Sequence, residues 1–139
     1  MTAIFLYESG AMAELKKILY AEDDPDIQVI AKMALETVGG FELCVCNSGS
    51  EAVENAVGFA PDLILLDVMM PGMDGPTAMQ EIQKDPALAG IPVVFMTAKV
   101  MPSDIAGYKA LGATDVISKP FDPMALPEQI REIWSGHNG

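Results

Sequence analysis

From Lys16 onward, short apolar runs alternate with stretches in which apolar residues recur every three or four positions. The runs at about 17–22, 41–46, 62–66, 92–97 and 114–118 are nearly continuous in apolar character. Strands buried on both faces read this way, because the crossover helices of a parallel sheet leave neither face to water. The alternation therefore predicts βαβ units, an α/β domain with helices on both sides of one sheet.

The intervening stretches carry helix signals. Ile27, Ile30, Ala31, Ala34, Leu35 and Val38 share one helical stripe, opened by Asp24-Pro25 and closed by Gly39-Gly40. Ser48-Gly49-Ser50-Glu51 fits a capping box before Ala52, Val53, Ala56 and Val57. A third helix is expected from near Pro76, with Met79 and Ile82 inward, and a fourth over about 103–111, ending at Gly112. Gly107 inside the fourth costs about 1 kcal/mol relative to Ala, so this helix should be the least stable. A fifth contains Leu126, Ile130, Ile133 and Trp134, with Pro127 obscuring its first turn. Residues 1–14 fit no element and are expected to form a poorly ordered extension; the domain proper spans 15–135, and 136–139 form a tail.

Size and charge narrow the possibilities. A chain of 139 residues with 50% hydrophobic residues suits one domain with a sizeable core. Its net charge of −12 disfavours nucleic acid and anionic lipid as partners. No apolar run has the length of a membrane span and the start lacks a basic signal region, so a cytoplasmic protein is expected. Cys44 and Cys46 point to the same face of one strand, where buried reduced thiols are expected rather than a disulfide. A metal pair there would need further ligands, and the single histidine, His137, lies in the tail.

Chemistry concentrates where the apolar runs end. Asp23 and Asp24 follow the first run, Asp67 the third, Thr97 closes the fourth and Lys119 follows the fifth. In an open parallel sheet the ligand crevice lies beyond the carboxyl ends of the strands, so these scattered residues are expected to meet. Each has a plain alternative: Asp24 as a helix cap, Asp67 satisfying loop amides, Thr97 as a β-branched strand residue, Lys119 as a solvated strand end. Carboxylates crowded at one rim need a compensating cation, and Mg²⁺ suits oxygen ligands that leave room for water and phosphate. With a lysine and a hydroxyl added, the set matches the demands of phosphoryl transfer.

Glu22-Asp23-Asp24, Asp67 with Met70-Pro71-Gly72-Met73-Asp74-Gly75, Thr97-Ala98, Gly112-Ala113 and Lys119-Pro120-Phe121 together resemble the receiver domain of bacterial two-component response regulators. The likeness runs from about Leu15 to Trp134. It implies a flavodoxin-like, doubly wound sheet of five parallel strands in the order 2-1-3-4-5 with five helices. It also implies that Asp67 takes a phosphoryl group from a sensor histidine kinase or a histidine phosphotransfer protein. By the same resemblance, Asp24, Asp67 and the Met69 carbonyl would bind Mg²⁺, Asp23 would act partly through water, and Thr97 and Lys119 would grip the phosphoryl oxygens. Lys119-Pro120 matches a cis bond of the family, and Ala98 leaves room beside the phosphate.

One position departs from the pattern, since Val116 stands where receivers usually carry Tyr or Phe. Activation is therefore expected to pass through the fourth helix and the loop before it. No dedicated enzyme is expected beyond self-catalysed phosphorylation and dephosphorylation, with Met69 and Lys99 flanking the site where family members tune the lifetime. With no output domain after Trp134, a stand-alone regulator would act by contact with a downstream protein or by passing its phosphate on. A dehalogenase-type hydrolase would need an acid where Met69 stands, and a flavin carrier's phosphate would be repelled by Glu22-Asp23-Asp24. The remaining alternative is a receiver-like binding module that never turns over phosphate.

Overall fold

The computed structural model describes residues 14–138. All but Glu14 of the expected N-terminal extension lies outside them. Five strands, β1 (Lys17–Ala21), β2 (Glu42–Cys46), β3 (Leu63–Asp67), β4 (Val93–Thr97) and β5 (Asp115–Ser118), form one parallel sheet in the order β2-β1-β3-β4-β5. The order reverses at β1, which leaves a crevice between the loops that follow β1 and β3. Asp67 is itself the last residue of β3, paired with Met96.

Five helices cross over the sheet: α1 (Pro25–Lys32), α2 (Gly49–Phe59), α3 (Gly75–Gln83), α4 (Pro102–Leu111) and α5 (Leu126–Asn138). Ile18, Tyr20, Leu63, Leu65, Val94 and Met96 face α1, the segment that continues it, and α5, against Ala31, Leu35, Leu126 and Ile130. Their neighbours Leu19, Ala21, Ile64, Leu66, Val93 and Phe95 face the other way, against Ala52, Ala56, Met79 and Ile82 of α2 and α3. The alternation follows from the pleat, and each fully buried Leu- or Ile-sized side chain contributes about 1.5–3 kcal/mol.

Two boundaries differ from expectation, and a third is resolved. The first helix does not run regularly to Gly39 but continues as a π-helical segment, Met33–Val38. The wider turn places Ala34 and Leu35 together in the core, while Ile30 and Val38 of the expected stripe are 44% exposed. Pro127 falls in the first turn of α5, where a missing N–H breaks no helical bond. That helix then continues through Gly136 and His137, so the expected tail is largely helical.

Candidate functional site

The residues that end β1, β3, β4 and β5 share one cleft of about 280 Å³, lined by Glu22, Asp23, Asp24, Asp67, Thr97 and Lys119, with Met69 and Ala98. Glu22, Asp67 and Thr97 are almost fully buried, at 1%, 3% and 4% exposure. Buried charge is tolerable only when paired, and the pairing is visible. The Lys119 ammonium donates to Glu22 Oε1 at 3.1 Å and to Asp67 Oδ1 at 3.2 Å. The bond between Lys119 and Pro120 is cis, as the motif implied.

Burial pushes the Glu22 carboxyl above the ordinary glutamate range, and the negative charge of Asp67 adds to this; the Asp24 amide and Lys119 only partly oppose it. Burial by itself would lower the Lys119 ammonium, yet its hydrogen bonds to Glu22 and Asp67 outweigh that and hold it above the ordinary lysine value. The pairing favours the charged form of both partners, but burial opposes it and outweighs it at Glu22 alone.

One oxygen from each of Glu22, Asp23 and Asp67 falls within 4.8 Å of the others, close enough to share a cation. Asp24, expected to join them, is engaged elsewhere: its Oδ1 accepts the Asp26 amide at 2.9 Å as the N-cap of α1. Glu22 stands in its place beside Asp23. The signal for Glu22 was its strand parity with Ile18 and Tyr20, which directs it to the same side of the sheet as Lys119. Thr97 Oγ1 accepts the Lys99 amide at 3.1 Å, which fixes the hydroxyl and leaves its proton free to donate.

The loop after β3 is turned by Gly72, at φ +79°, as the Pro71-Gly72 pair predicts. Gly75 starts α3 so close to the strand end that a Cβ there would lie 2.5 Å from the Asp67 carbonyl oxygen. Asp74 caps that helix through the Thr77 amide at 2.8 Å. Met69 is 74% exposed. Below the acids, the fully buried Tyr20 hydroxyl meets no protein hydrogen-bond partner. Burial, with the charges of Glu22, Asp67 and Asp24, drives its ionisation far above the ordinary tyrosine range. On β2, Cys44 and Cys46 are free thiols as expected, but only Cys46 is buried and Cys44 is half-buried.

A parallel sheet in the order 2-1-3-4-5, with an acidic crevice at its switch point and a lysine bridging two of the acids, defines the flavodoxin-like class of signalling domain. The sequence pattern of the response regulator receiver domain matches residues 18–131, and the chain belongs to that family. The response regulator Rre1 of Synechocystis sp. is 34% identical over 123 residues, covering 88% of this chain and 53% of its own length. The chain spans about half the length of the curated relatives it matches. The chemotaxis protein CheY4 of Vibrio cholerae superposes with a TM-score of 0.79 at 27% identity, over 86% of this chain and 99% of that one. The signal receiver domain of a signal transduction histidine kinase from Syntrophus aciditrophicus gives 0.75 at 34% identity, over 87% and 91%. Among the described residues, no helix is long and apolar enough to cross a membrane.

Proposed function

We propose that Asp67 is the phosphoacceptor of a cytoplasmic phosphorelay, charged by a sensor histidine kinase or a histidine phosphotransfer protein. The observation that carries this reading is the Lys119 ammonium shared between Glu22 and Asp67 in a cleft that also holds Asp23 and Thr97. In the transfer, an Asp67 carboxylate oxygen bonds to phosphorus while the phosphorus–nitrogen bond of the phosphohistidine breaks. The imidazole leaves with the electron pair. Lys119 meets the charge on the phosphoryl oxygens, and the Thr97 hydroxyl donates to one of them.

Three carboxylate oxygens converging at an open cleft suit a hard cation with oxygen ligands and retained waters. Glu22, Asp23 and Asp67 would hold Mg²⁺, the Met69 carbonyl would complete the protein's share, and Asp24 would cap α1. Neutralising the crowded carboxylates as a phosphate approaches is the chemistry a bound Mg²⁺ would supply. The phosphorylated domain would then signal by contact with a downstream protein or by onward transfer. Incubation with Mg²⁺ and acetyl phosphate should add one phosphoryl group, measured by intact mass, and Asp67→Ala should abolish the gain. No uptake from either acetyl phosphate or a panel of kinases would favour a binding module instead.

A further inference from the structure

We infer that Gln28 is a positioning residue for the acid loop, holding the backbone at Glu22 and thereby setting where the Glu22 and Asp23 carboxylates stand to receive a divalent cation. The inference rests on reading those acids as a Mg²⁺ site. Asp23 is exposed, so the direction of its carboxylate follows largely from the backbone that carries it. That backbone is tied on two sides. The Glu22 amide donates to the Cys46 carbonyl at 3.1 Å, and the Glu22 carbonyl accepts from the Gln28 side-chain amide.

The same Gln28 nitrogen also donates to Asn47 Oδ1 at 2.8 Å, so the two hydrogens of its amide have two acceptors on different loops. Asn47 is fixed in turn, its backbone and side-chain nitrogens donating to Glu51 Oε1 at 2.8 and 3.3 Å. This explains why Glu51, expected to close a capping box on Ser48, reaches back to Asn47 while Ser48 Oγ accepts the Glu51 amide. A continuous path thus joins α2, the loop after β2, α1 and the loop after β1. Groups that orient metal ligands in this way are commonly worth at least tenfold in affinity.

The test uses the whole chain and Mg²⁺ alone as the first probe. Gln28→Glu keeps the size of the side chain and removes both donors; Gln28→Ala removes the whole carboxamide. Both should weaken Mg²⁺ binding by about tenfold in calorimetry. In metal-free protein, both should also speed amide hydrogen exchange at Asp23 and Asp24. Thermal midpoints should stay close to wild type, and the rate of phosphorylation by acetyl phosphate at saturating Mg²⁺ should change less than about twofold. Asn47→Ala should shift Mg²⁺ affinity in the same direction, and the double variant with Gln28→Ala should be no weaker than Gln28→Ala alone. Unchanged Mg²⁺ affinity in the folded Gln28 variants overturns the inference, as does a lost saturating rate at unchanged affinity. A wild type that binds Mg²⁺ but never phosphorylates Asp67 would instead sink the functional reading and leave this one standing.

Discussion

Tyr20 and Cys46 are residues whose chemistry the fold suppresses. The Tyr20 hydroxyl is fully buried without a protein partner, and a buried unpaired polar group costs about 1–3 kcal/mol. Tyr20→Phe should therefore stabilise the domain by about 1 kcal/mol in urea titration, and an equal loss would show that the hydroxyl is satisfied in solution. Burial pushes the Cys46 thiol up from 9.0 to about 12, with Cys44 adding to the effect and Asn55 only partly opposing it. A group whose folded pKa is raised supports the fold fully below its unfolded value and loses that support as pH rises through the folded one. Wild type should accordingly lose stability more steeply than Cys46→Ala between about pH 9 and about pH 12. Parallel slopes in denaturant melts would show that the thiolate is accommodated.

Among the elements, α4 is held most lightly. None of its residues is buried, and Gly107 has open space where a Cβ would stand. Its anchor is Tyr108, whose ring meets Phe95 of β4 edge-on at 5.4 Å, beside Val116 in the same cluster. An aromatic therefore borders this part of the core even though Val116 supplies none, and it comes from the helix. Tyr108→Ala should cost about 2 kcal/mol and raise hydrogen exchange across α4 before the rest of the domain. If α4 relays phosphorylation, its exchange should also change when Asp67 is modified. Equal exchange and equal partner affinity in the two states would remove α4 from the signal path.

At the scale of the whole molecule, 20 acidic residues face 8 lysines and arginines, giving a net charge of −12. Such an excess destabilises the compact state through self-repulsion, and salt screens it. The thermal midpoint of the metal-free protein should rise as NaCl is added; a fall would mean that the Glu22–Lys119–Asp67 pairs outweigh the general repulsion. The excess is also why a basic side chain in the cleft matters, since Lys119 sits among four acidic residues there.

Patterning carried most of this architecture. Continuous apolar runs separated by helical stripes are compatible with few folds other than a doubly wound sheet, because both strand faces must be covered. The rule that ligands meet beyond the strand ends then brought Asp23, Asp67, Thr97 and Lys119 together from the chain alone. Tertiary structure decided which neighbour meets which partner. Glu22 and Asp24 are both acids flanking Asp23 and share one strand parity, so that spacing admits Glu22 without choosing between the two. Strand parity and burial turn Glu22 toward Lys119, whereas the start of α1 claims Asp24 as its cap. The π-helical turn after α1 and the Gln28 link between two loops were likewise hidden, since each depends on the fit of elements distant in sequence rather than on local preference.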